Sequence, residues 1–265
     1  MNDIATPHDD MIRVYWMTGC SSCLRTKEFL TRHGVPFVSR NVLEDDGAYD
    51  ELAIFGLRQV PIVTRGGRYA NGQVLRDVAA LAGIHWGDAK ILPVKELQTR
   101  QDIILSTAER LLSQLPEDAL QRHLPNRPRS YADLAFHIFN IPDAFLEHEA
   151  GQPLTFDSYM RVPGPDMQSR EALLNYGRDV RQRLTEWFAA HGDKRDWSAP
   201  ADVYYGEQTL HEYLERTTWH SCQHVRQLAW VLSGLGIEPS RPLGREIFDG
   251  LPMPDKVWDD ENAKV

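Results

Sequence analysis

The sequence predicts a two-domain chain, a small α/β unit followed by an all-α four-helix bundle. Three observations predict it. From Met11 to about Ile84, short β-rich apolar runs alternate with helical periods that stop at glycines. Beyond Glu96, apolar residues recur at a period near 3.6 in four long stretches. The chain has 265 residues and is 42% hydrophobic, enough apolar material for two modest cores.

In the first domain, residues 11–85, Ile12 to Met17 (IRVYWM) reads as a strand. Ser22 to His33 is helical and ends at Gly34, a C-terminal stop signal. Val35 to Val42 is a second strand, and Asp46 to Phe55 a second helix stopped by Gly56. Val60 to Thr64 is a third strand, Gly66-Gly67 a tight turn, and Arg68 to Ala70 the return strand. Gln73 to Ala82 closes the unit as a helix. Residues 86–96 hold Gly87 and Pro93 and no clear period, and read as a linker.

The bundle covers residues 97–238. Leu97 to Leu115 carries apolar residues at Ile103, Ile104, Ala108, Leu111, Leu112 and Leu115, a period near 3.6. Ser130 to Glu149 opens on Ser130 and Asp133, a capping-box variant, and includes Pro142, which is expected to kink it. Ser169 to Ala190 is amphipathic. Thr209 to Leu235 opens on the capping box Thr209/Glu212 and ends among Gly234 and Gly236. Gly151 to Met167 reads as one extended crossover. Residues 239–265, Pro-rich and acidic, are expected to be an irregular tail.

Composition narrows the function classes. Lys plus Arg is 29 against 38 Asp plus Glu, a net charge of −9, a poor match for nucleic acid or an anionic membrane. The local basic stretch Arg122 to Arg129 is broken by Pro125 and Pro128 and reads as a solvated loop. No apolar run approaches the ~18 residues of a transmembrane helix. The polar, acidic N-terminus (MNDIATPHDD) does not resemble a signal peptide, so a cytoplasmic location is expected. Three cysteines, two of them a tight pair, suit redox or metal chemistry better than a secreted disulfide framework.

That pair, Cys20-Ser21-Ser22-Cys23, lies between a strand and a helix. A helix N-terminus offers unpaired N–H groups and a positive dipole end, and both favour a thiolate at Cys20. Cys23, about one turn further in, is then the resolving thiol. Half of a zinc site is the alternative, although no second C-x-x-C is present. With Gln59-Val60-Pro61 before the third strand, the segment from Met11 to Ile84 resembles a glutaredoxin of the thioredoxin fold. The run R-Q-V-P is similar to the redoxin branch that serves ribonucleotide reductase. The resemblance implies a cis Val60-Pro61 bond facing the cysteines and a Val60 backbone that pairs with a bound thiol. Met17 stands where many glutaredoxins have Lys, and Asn71-Gly72-Gln73 lacks the acidic residues that hold the γ-glutamyl end of glutathione.

Of ten histidines, His220 and His224 stand apart, in WHSCQHVRQLAWVL. A spacing of four leaves them about 40° apart around a helix, so both can face one metal. Cys222 is turned about 200° from His220, which fits a small packed residue instead. His137 sits among apolar residues in YADLAFHIFN, where a third ligand or a satisfied core histidine is expected. His148 lies three turns further on and cannot share that site. One His on the second bundle helix and H-x-x-x-H followed by Gln227 on the last resemble the DinB superfamily, over about Leu97 to Ile237. The resemblance implies a divalent metal, Zn or Ni, held by His137, His220 and His224, with one position left for water or substrate. Asn140 and Gln227 are within reach to orient the imidazoles.

Three neutral imidazoles leave a metal its full charge and an open site, which turns a bound thiol into a nucleophile. The expected function is therefore a thiol-dependent transferase or isomerase. Its partners would be a small thiol, such as glutathione, and an electrophile. The alternatives are a thiol–disulfide oxidoreductase acting on a disulfide-containing protein, and a redox-sensitive metal-binding sensor.

Overall fold

The computed structural model describes residues 10–87 and 90–259. The chain divides into two compact units, Met1–Ala89 and Lys90–Val265.

The first unit runs β1 (Ile12–Trp16), α1 (Ser21–Arg32), β2 (Phe37–Asn41), α2 (Asp46–Ala53), β3 (Ile62–Arg65), β4 (Arg68–Asn71) and α3 (Leu75–Ala82). The sheet order is β2-β1-β3-β4. β1 and β2 are parallel, with Val14 opposite Ser39, because α1 carries the chain back between them. β1–β3 and β3–β4 are antiparallel. Gly66, at φ +58°, makes the two-residue turn that closes the hairpin on Arg65 and Arg68. Alternation along the strands makes a core on each face. Ile12, Val14 and Val63 pack with Phe29 and Leu30 of α1 and Val78 of α3. Tyr15 and Ile62 pack with Cys23, Val60 and Leu52 of α2. This is the mixed sheet with helices of a thioredoxin-like fold.

Several boundaries differ from expectation by about two residues: β2 begins at Phe37, α2 ends at Ala53 and α3 begins at Leu75. β3 begins at Ile62, two residues late, because Pro61 has no N–H to give a ladder and its bond to Val60 is cis. Pro61 and Thr26 of α1 converge on Gly72. A Cβ there would lie 2.8 Å from Pro61 Cβ and 2.9 Å from Thr26 Oγ1, so only glycine fits.

The second unit contains α4 (Val94–Gln114), α5 (Tyr131–Glu149), α6 (Phe156–Met160), α7 (Arg170–His191), β5 (Pro200–Ala201), β6 (Gln208–Thr209), α8 (Leu210–Gly234) and α9 (Arg245–Phe248). The four long helices pack on one another. Both expected capping boxes close: Ser130 N donates to Asp133 Oδ2 at 2.8 Å, and Thr209 N to Glu212 Oε2 at 2.7 Å. Each cap contributes about 1 kcal/mol. α5 runs through Pro142 to Glu149.

Two stretches depart from expectation. α4 starts at Val94, so the last three residues assigned to the linker are helical. Pro93, which lacks an N–H, is its N-cap, and Leu97 is fully buried. The stretch 239–259 is more ordered than an irregular tail. It carries α9 and buries Ile247, Leu251 and Trp258, whose indole stacks on Trp230 at 5.4 Å between centroids. Arg226 donates to the carbonyls of Pro254 and Asp255, and Gln223 to those of Lys256 and Val257. Apolar burial and carbonyl satisfaction together order a segment whose sequence shows no period. No helix among the described residues is long and apolar enough to cross a membrane.

Candidate functional site

Cys20 is the N-cap of α1, in extended backbone (φ −85°, ψ 110°), and its Sγ accepts a hydrogen bond from Cys23 N at 3.3 Å. The helix terminus therefore aims a backbone donor at this sulfur, as a thiolate requires. Cys20 and Cys23 are disulfide-bonded, with Cα atoms 5.2 Å apart. Cys20 is half-buried, whereas Cys23 is fully buried in the cluster that includes Val60. Cys20 and Met17 pack against the same cluster.

Cys222 lies apart from this chemistry, buried in α8. Burial pushes its thiol up to about 12, so at neutral pH it is protonated and unreactive. After reduction, iodoacetamide at pH 7.5 should label Cys20 first and Cys23 more slowly. Cys222 should be labelled only in denaturant. Peptide mapping checks the order, and native labelling of Cys222 at the rate of Cys23 would contradict it.

In the bundle, α5 and α8 pack side by side and bring three imidazoles together. One nitrogen from each of His137, His220 and His224 lies within 4.8 Å of the others. All three side chains are buried. Ring centroids are 4.8 Å apart for His137 and His224, and 4.9 Å for His220 and His224. Burial, then the positive charge of Arg129, holds His137 and His224 well below the usual imidazole range. They are thus neutral, the form a metal needs. Arg129 is itself pushed down to about 10 by burial, so the basic stretch is less solvated than its charge suggests.

The surroundings fit a divalent ion. His137 Nδ1 is buried without a hydrogen-bond partner, an orphaned group in a cluster of lone-pair donors. His224 Nδ1 lies 2.7 Å from Gln227 Oε1. An amide oxygen only accepts, so Nδ1 carries the proton and Nε2 keeps its lone pair for a metal. Gln227 Nε2 in turn donates to Val257 O at 3.3 Å, which fixes the amide orientation.

Asn140 departs from expectation. Its Nδ2 donates to Ser158 O at 2.8 Å, and its buried Oδ1 has no partner. Three residues from His137, it points about 60° away around α5 and meets the crossover instead of an imidazole. It thereby anchors α6, which places Tyr159 against the triad, with ring centroids 5.6 Å from His220 and 6.1 Å from His137. Arg216 lies one turn before His220, its Nη1 3.4 Å from His220 Nδ1 and its guanidinium 4.8 Å from the Tyr159 ring. Sequence reasoning missed both. Arg216 was findable, four residues before a candidate ligand on one helix. Tyr159, in the crossover, carried no periodic signal.

Residues 12–70 match the glutaredoxin family model, and residues 102–228 match that of the DinB superfamily. No curated protein matches the chain significantly.

Proposed function

From a chain that joins a glutaredoxin domain to a DinB superfamily domain, we infer a thiol-dependent metalloenzyme, an S-transferase or isomerase whose glutaredoxin domain handles thiol–disulfide exchange. The observation that carries this reading is the buried His137–His220–His224 cluster with its Gln227 partner. A divalent ion bound there would supply Lewis acidity that lowers the pKa of a thiol beside it. The protein's share is to hold three lone pairs on one point, keep His224 oriented and exclude bulk water. In the other domain, Cys20 thiolate attacks one sulfur of a small disulfide and expels the first thiolate. Cys23 thiolate then attacks Cys20 Sγ, expels the second, and leaves the Cys20–Cys23 disulfide. An external dithiol returns the two electrons. The cycle thus keeps the small thiol in the reduced form that the bundle uses.

The test is to purify Cys23→Ser from cells under acid trapping and weigh what is linked to Cys20. A small thiol is expected. A protein adduct would replace this reading with a thiol–disulfide oxidoreductase acting on a protein client.

A further inference from the structure

The interior beside the triad holds hydrogen-bonding capacity that the fold leaves unused. Tyr159 is 5% exposed and Tyr213 is fully buried, and their hydroxyls meet only each other and the Arg216 guanidinium, with no hydrogen bond of good geometry to the rest of the fold. Buried polar groups in native proteins are almost always satisfied, and two hydroxyls that meet only each other and a guanidinium, which cannot accept, leave at least one O–H in need of an acceptor. The two hydroxyls are close enough to influence each other electrostatically. Removing each from water costs free energy that a bound ligand would return.

Their position says where such a ligand runs. Tyr213, Arg216, His220 and His224 form one buried polar stripe along α8. Arg216 is about 6 Å and Tyr213 about 10 Å from His220 along the axis. Tyr159 bridges the two ends, its ring against His220 on one side and beneath the Arg216 guanidinium on the other. Arg216 is always cationic, and Arg129 adds positive charge near His137 and His224. The stripe therefore pairs a metal-ligating end with an end made of two O–H donors in a positive field. Phenol donors beside a guanidinium suit an oxyanion.

We propose that Tyr159 and Tyr213, next to Arg216, form a carboxylate-recognition subsite for a ligand whose other end occupies the triad. The thiol of this enzyme thus carries a carboxylate a few carbons from its sulfur. This rests on the thiol reading above and specifies its substrate class.

The test uses the full chain loaded with Co(II), so that binding is read from cobalt absorption without turnover. The probes are 4-mercaptobutyrate and its neutral amide. Wild type should bind the carboxylate at least about tenfold more tightly than the amide, the scale of one charge-assisted hydrogen bond. Tyr159→Phe and Tyr213→Phe should lose that preference and bind the amide as wild type does. Both should melt within a few degrees of wild type, since each deletes at most one poorly formed hydrogen bond. Equal binding of the two thiols by wild type, or a preference that survives both variants, overturns the subsite and leaves the thiol reading standing. If neither thiol shifts the spectrum, the thiol reading falls, and glutarate against its monoamide decides the subsite. A glutarate preference lost in Tyr159→Phe supports it, and no preference overturns it.

Discussion

His220→Ala should strip most of the metal from the full-length chain, while Cys222→Ser retains about one ion per chain. His220 belongs to a three-ligand cluster, and losing one of three imidazoles leaves too few lone pairs to offset dehydration of the ion. Cys222 shares α8 with two of the histidines, but it is buried as a neutral thiol. Gln227→Leu should fall between them, with about a 10–100-fold loss of affinity, because it keeps every ligand and removes only the acceptor at His224 Nδ1. Elemental analysis after gel filtration, with competition against a chromophoric chelator, ranks the three variants. Full metal content in His220→Ala would remove the triad from the mechanism. The apoprotein should also be less stable than the loaded form, since an ion bound only by the folded state stabilises it by mass action.

Cys20→Ser should separate the two halves of the chemistry. When the cosubstrate is supplied as its disulfide with a slow dithiol reductant, wild type should sustain turnover of a metal-dependent substrate. Cys20→Ser should be slower by at least about tenfold, because an ordinary thiol of pKa near 8.5 is only a few per cent thiolate at pH 7. When the same cosubstrate is supplied already reduced, Cys20→Ser should match wild type. Equal rates under both regimes would mean that the two domains are only neighbours in one chain. A deficit under both would give Cys20 a part in the metal-dependent step itself.

The legible part of this protein was the part written in short-range rules. Strand alternation, glycine stops and the capping boxes at Ser130 and Thr209 depend on residues one to four apart, and they placed the elements to within about two residues. The three histidines were readable for the same reason: two are one turn apart, and the third lies on an apolar face that demands a partner. What escaped depends on contacts between segments distant in sequence. Asn140 could have served His137, but Ser158 supplied a competing carbonyl from the crossover. Tyr159 reaches the triad only because that anchor exists. The stretch 239–259 has no helical or strand period, yet α8 offers Arg226, Gln223 and Trp230 to hold it.

That last segment bears on where the bundle can be cut. The match to the DinB superfamily ends at residue 228, and all three imidazoles lie inside it. A fragment trimmed there would look complete by its ligands. It would nevertheless lack Val257 O, the acceptor that stops the Gln227 amide from turning over. With the amide free to flip, its nitrogen could face His224 and favour the imidazole with its proton on Nε2, the wrong atom for an ion. The candidate metal centre is thus bounded by a residue about thirty positions beyond the last histidine of the triad. Excised versions of this domain would bind the ion weakly with no ligand missing.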